Sequence, residues 1–207
     1  SGQDPELTAL YETGAGDFDA ALKRVLKEWD DWLYPWLDSP PQTNEVGRSA
    51  ALMAGVMVAA KRLDMPIQLL ELGSSAGLNL NLDRFYYNLG GLEAGPSDAA
   101  VRIMPDWKGD APDGKWPQII ARNGVDQNPL DVRDDAIAAR LLAYCWPDQL
   151  DRLARLEAAI ATARTYPPSV DAEDAADWIE RRLAEPQTKG TARIVMHSVF
   201  WQYLPVD

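Results

Sequence analysis

From Asp17 onward the apolar residues Phe18, Leu22, Val25, Leu26, Trp29, Trp32 and Leu33 recur every three or four positions. That spacing gathers them on one face of a helix, with Asp17 as its N-cap. Pro35 ends or kinks this helix, and Ser39-Pro40-Pro41 prevents any continuation. Thr43 or Asn44 then caps a second helix running through Leu63, apolar on most sides and so expected inside the fold. Together these form an N-terminal helical segment, residues 1–64. At Ile67-Gln68-Leu69-Leu70-Glu71-Leu72 the pattern changes to a short apolar run ending at a glycine turn, which predicts a buried parallel strand.

A helix from Gly77 to Tyr87 is expected next, followed by a loop-rich insertion between Asn88 and Trp116 that covers a site or an edge. Gln118 to Ala121, continued by Gly124-Val125-Asp126, predicts a second strand. Asp134 to Thr165 reads as helical, with Pro147 opening a new helix at its first position. Ser169-Val170-Asp171 predicts a short strand, Ala172 to Leu183 a helix, and Arg193 to Met196 a last strand ending at His197-Ser198. Strands alternating with helices over residues 65–207 predict an α/β fold, a three-layer Rossmann-like, mostly parallel sheet that makes one compact unit with the N-terminal helices.

Composition narrows the functions this fold can serve. The chain has 207 residues, 46% of them apolar, which suits one domain able to fold without staples. Twenty Lys and Arg against 32 Asp and Glu leave a net charge of -12, which repels nucleic-acid backbones and anionic lipid surfaces. Neither nucleic acid nor membrane is therefore an expected partner. The longest apolar stretch, Ser49 to Ala60, lies between Arg48 and Lys61 and falls short of the roughly 20 residues a bilayer span needs. One cysteine, Cys145, excludes an internal disulfide, so a reducing cytoplasm is the expected compartment. The chain opens Ser-Gly-Gln, with no basic region ahead of an apolar core, so no signal peptide is read, and a start upstream of Ser1 stays open. One His and one Cys far apart, with no spaced acidic loop, predict no dedicated metal site.

The chemistry is expected at the turn after Leu72, because open parallel sheets bind ligands at the carboxyl ends of their strands. In Glu71-Leu72-Gly73-Ser74-Ser75-Ala76-Gly77 the glycines let the backbone curl and a ligand approach, while a helix starting near Gly77 would aim amides at an anion. Glu71 is placed to accept a hydrogen bond from an ammonium group. The turn has Ser75 where a dinucleotide fingerprint has glycine, and no lysine for a phosphate loop. An acidic residue followed by Gly-x-x-x-Gly resembles the first motif of class I S-adenosylmethionine-dependent methyltransferases, with Ser75 in place of the middle glycine. That resemblance implies S-adenosylmethionine as cofactor, held by Glu71, Gly73, Ser74, Ser75 and Gly77.

Two later segments fit the same scheme. Asp126 resembles the acid that bridges the two ribose hydroxyls, the other reading being an Asn/Asp/Pro surface turn. Asp174-Ala175 resembles an adenine-contacting pair, the other reading being an ordinary charged helix start. His197, the single histidine, stands where an imidazole can take a proton from a methyl acceptor, and Trp201 and Tyr203 beyond it face that acceptor; a purely structural hydrogen-bonding histidine is the alternative.

The segments Pro40 to Ser49, Leu70 to Leu80, Cys145 to Gln149 and His197 to Pro205 together resemble the uncharacterised bacterial family called domain of unknown function 2332. What that resemblance implies is a methyltransferase-like fold without an established reaction. Members of that family extend past Pro205, and a full methyltransferase sheet has three further strands, so an abbreviated sheet or a chain shortened at its C-terminus is expected. The resemblance also draws attention to Gln42, Thr43, Asn44, Glu45 and Arg48, which fold over a bound cofactor or substrate, with Arg48 pairing a carboxylate, unless Thr43 or Asn44 is merely a helix cap. The expected function is methyl transfer to a small-molecule acceptor. The alternatives are a non-catalytic binding or regulatory module and, from eight tryptophans, several of them between Asp17 and Leu37, a self-associating domain.

Overall fold

A computed structural model of the chain describes residues 4–38 and 41–203. Four strands, β1 (Ile67–Leu72), β5 (Ile119–Asp126), β6 (Val170–Ala172) and β7 (Ala192–His197), form one parallel sheet in the order β6-β5-β1-β7. Glu71 sits beside Gly124 on one neighbour and Met196 on the other, and Leu72 beside Val125 and His197. The expected strands are therefore all present, and the fold is mixed α/β around a parallel sheet. A second, three-stranded sheet is made by β2 (Tyr86–Leu89), β3 (Leu92–Ala94) and β4 (Arg102–Ile103), in the order β3-β2-β4.

Helices cover both faces. Alternate residues of β1 point opposite ways, and Ile67 and Leu69 join a large core with α4 (Ser49–Leu63) and α6 (Leu150–Thr165) through Met53, Val56, Met57, Leu156 and Ile160. Leu70 faces the other way, onto Val125 and the fully buried Trp178 of α7 (Ala175–Ala184). The indole Nε1 of Trp178 donates to Asp171 Oδ2 at 2.7 Å, so its one polar atom is satisfied. Between β5 and α6 lies α5 (Asp135–Ala143), capped by Asp134. No helix among the described residues is long and apolar enough to cross a membrane.

Several expected elements differ in detail. The long helix from Asp17 breaks at Trp29 into α2 (Phe18–Glu28) and α3 (Asp30–Leu33), although Asp17 caps it as read, accepting from the Ala20 amide. A shorter α1 (Pro5–Thr13) precedes it, and Arg24 of α2 grips its cap residue Asp4 with bonds of 2.8 and 2.9 Å. Neither Thr43 nor Asn44 caps the next helix: Glu45 accepts from the Gly47 amide at the head of a 3-10 turn, Val46–Arg48, that leads into α4. The helix expected from Gly77 is a 3-10 segment, Leu78–Arg84, kinked at Asn81. Leu78, Leu80 and Leu82 are all buried, a two-residue recurrence that an α-helix would spread around its circumference. Pro147 sits in the turn before α6 and does not open it. The insertion is no bare loop, because it completes the second sheet, in and beside which Phe85, Tyr87, Leu89, Val101 and Ile103 extend the main core.

Candidate functional site

Every second residue of the turn after β1 is left-handed. Gly73 has φ 66°, Ser75 φ 53° and Gly77 φ 66°. Ser75 thus occupies the conformation a glycine adopts at least cost, at a penalty of roughly 1–2 kcal/mol for a residue with a Cβ. Its polar atoms are all engaged. The Ser75 amide donates to Asp126 Oδ2 at 2.8 Å, its hydroxyl donates to Gln42 Oε1 at 2.7 Å and accepts from Asn44 Nδ2 at 2.9 Å, and its carbonyl accepts from the Leu130 amide. Asn44 Oδ1 takes the Ala76 amide at 3.3 Å, and Gln42 Nε2 reaches the Asn128 carbonyl. Asn44 and Gln42 therefore lie on the glycine turn, and Asn128 joins the same network.

Beneath the turn, the Ser74 hydroxyl donates to the Glu71 carbonyl at 2.8 Å. The Glu71 side chain is buried, 2% exposed, and its Oε2 has no partner. Burial, helped by the nearby negative charge of Asp126, pushes this carboxyl up to about 8. Asp126 itself ends β5, and its other oxygen accepts from the Asn128 amide at 2.9 Å. Each of its oxygens therefore takes one backbone N–H, leaving further acceptor capacity on both.

His197 closes β7 in register with Leu72, so it stands at the same end of the sheet as the turn. Its exposed ring stacks on Trp201 at 6.1 Å and leans on Phe200 at 6.2 Å. Phe200 was not singled out as a site residue, yet it covers Gly73: a Cβ on Gly73 would meet its Cδ2 at 2.6 Å. Val199, a β-branched residue at φ 57°, makes the bend that brings Phe200 there. At Gly77 the room is filled by Pro168 and Val170, 2.8–2.9 Å from where a Cβ would sit.

The remaining expected residues scatter. Asp174 caps α7, accepting from the amides of Ala176 and Asp177. Glu45 points away from the turn to a charge cluster of its own, 2.5 Å from Arg152 and 3.3 Å from Arg155. Arg48 ends the 3-10 turn half-buried, with no ion pair among the described residues. The side chain of Tyr203, with Pro40, Leu204 and Pro205, lies outside the described residues.

No curated protein and no solved structure matches the chain. A family model matches all of residues 1–207, and the chain belongs to that family, described as "Uncharacterized protein conserved in bacteria (DUF2332)".

Proposed function

We propose that this protein binds S-adenosylmethionine at the carboxyl ends of β1 and β5 and transfers its methyl group to a small acceptor. One observation carries this reading. From β1 the chain moves outward to β5 and β6 on one side and then crosses to β7 on the other, so the strand order reverses between β1 and β7. Sheets of this Rossmann-like kind bind ligands in the crevice outside that reversal. Glu71, the left-handed turn, Asp126 and His197 all belong to the strand ends there.

The residues present fit such a ligand on the Gly73 side of the turn once Phe200 leaves it, Gly77 staying packed under Pro168 and Val170. Asp126 has acceptor capacity for two ribose hydroxyls, and the unpartnered Glu71 Oε2 suits an ammonium group. Straightening the bend at Val199 relieves its left-handed strain while withdrawing the ring, so clearing the crevice is partly offset by the backbone. The cofactor's sulfonium supplies an electrophilic methyl group. His197, exposed beside Trp201, takes the acceptor's proton.

Phe200 on Gly73 and the engaged amides of Ser75 and Ala76 favour a second reading, a binding module that retains the crevice without turnover. Calorimetric titration with S-adenosylmethionine and S-adenosylhomocysteine distinguishes the possibilities. Heats are expected with both, with affinity rising several-fold in Phe200→Ala. A proton should be released at neutral pH, read from buffers of different ionisation enthalpy, and this release should vanish in Glu71→Gln. No heat in either protein overturns the proposal. Binding without methyl transfer to a metabolite pool, unchanged in His197→Ala, selects the second reading.

A further inference from the structure

The strand-end site leaves the tryptophan-rich N-terminal helices unused. Trp29, Trp32 and Trp36 follow at spacings of three and four residues, and their rings touch in sequence, at 6.3 Å and then 5.0 Å between centroids. Trp36 continues the row onto Tyr144 at 6.1 Å, joining the N-terminal helices to the end of α5. Two residues on, Trp146 is 68% exposed; Leu150 is 69%, Trp32 53% and Leu37 81% exposed. Large apolar side chains left exposed on a chain this charged mark a contact surface, and the Trp36–Tyr144 contact brings together the two stretches that carry them. Beside them lies an open trough of roughly 710 Å³, lined by Glu45, Asp148, Leu150, Asp151, Arg152 and Arg155.

The charges around this face select its occupant. Asp30, Asp31 and Asp38 are exposed on the aromatic side, and Asp148 and Asp151 on the trough side. The cations nearby are committed: Arg152 and Arg155 hold Glu45, and Arg140 lies over Trp36 while donating to the Tyr144 hydroxyl at 2.9 Å. Lys23 and Lys27 lie on α2, the helix that ends at Trp29. A second copy would bring the same carboxylates on a chain of net charge -12, and nucleic acid or anionic lipid would be repelled. We infer that this face docks a basic polypeptide segment whose lysines or arginines alternate with large apolar residues. Its cations pair with the rim carboxylates and lie over the indole faces, and its apolar side chains cover Leu150 and Trp146.

The test uses the whole chain and a fluorescently labelled amphipathic peptide of leucines and lysines. Its controls are a leucine and glutamate peptide and a lysine and serine peptide. Anisotropy is expected to show saturable binding of the leucine and lysine peptide alone. Trp32→Ser with Trp146→Ser should weaken it at least tenfold, and Asp148→Asn with Asp151→Asn should weaken it and flatten its salt dependence. The four positions are exposed, so unchanged thermal melting serves as the folding control. Equal binding by the lysine and serine peptide, or affinity indifferent to the tryptophan pair, overturns the proposal. So does a dimer in sedimentation equilibrium that Trp146→Ser dissolves, or tryptophan-dependent adsorption to neutral phosphatidylcholine vesicles in place of peptide binding.

Discussion

Replacing Glu71 by glutamine tests the buried carboxyl on which the strand-end site is built. Glu71 is 2% exposed with one oxygen unpartnered, and burial raises its carboxyl from the ordinary 4.5 to about 8. Between those values the folded chain keeps a proton that the unfolded chain has released. The native state's advantage is therefore complete below the unfolded value and is lost progressively as pH climbs through the window to about 8. Each unit of that window is worth about 1.4 kcal/mol, so the whole of it amounts to on the order of 5 kcal/mol. That is a large share of the roughly 5–15 kcal/mol that holds a typical domain together. Glutamine keeps the shape and carries no charge at any pH, so the difference between the two proteins isolates this one group. Urea unfolding followed by tryptophan fluorescence, with Trp178 as a buried reporter, gives both stabilities from acid to alkaline pH. The two proteins should lie close together near the ordinary glutamate pKa, and Glu71→Gln should be more stable by several kcal/mol above the folded value. A constant offset across that range would refute the reasoning, because it would mean that Glu71 ionises in the folded chain as it does in water.

Other substitutions read the turn and the core. Gly77→Val forces a side chain against Pro168 and Val170 at φ 66°, and thermal melting should show a loss of roughly 2–4 kcal/mol. Ser75→Ala and Ser75→Gly both remove the hydroxyl bonds to Gln42 and Asn44, but the glycine variant should remain more stable by about 1–2 kcal/mol in urea titration, since it adopts φ 53° without a Cβ. Trp178→Ala removes the fully buried indole packed on β1 and β5, and equilibrium unfolding should report a loss of about 3–5 kcal/mol.

The parallel strands were legible because their apolar runs end at turn residues, as at Leu72-Gly73 and Val125-Asp126. The second sheet was missed although its hairpin was spelled out. Gly90-Gly91 joins Leu89 to Leu92 with φ of 67° and 89°, the two-residue loop whose positive angles suit a twisted hairpin. Reading those glycines as general loop material hid the strand on either side. At the site, the left-handed turn could be foreseen from its glycines, and Asp126 from its place at a strand end. That Asn44 and Gln42 clasp Ser75 depends on a contact more than 30 residues away in sequence, which no local pattern specifies. The same holds for Phe200, which lies over Gly73 more than 120 residues away in sequence, just after the left-handed Val199.

Crystals grown with saturating S-adenosylhomocysteine test the central claim most directly. Density is expected in the crevice between β1 and β7, with the ribose hydroxyls on Asp126, the amino group at Glu71 and the Phe200 ring withdrawn from Gly73. A crevice still closed by Phe200, or the nucleoside bound elsewhere on the molecule, would contradict it.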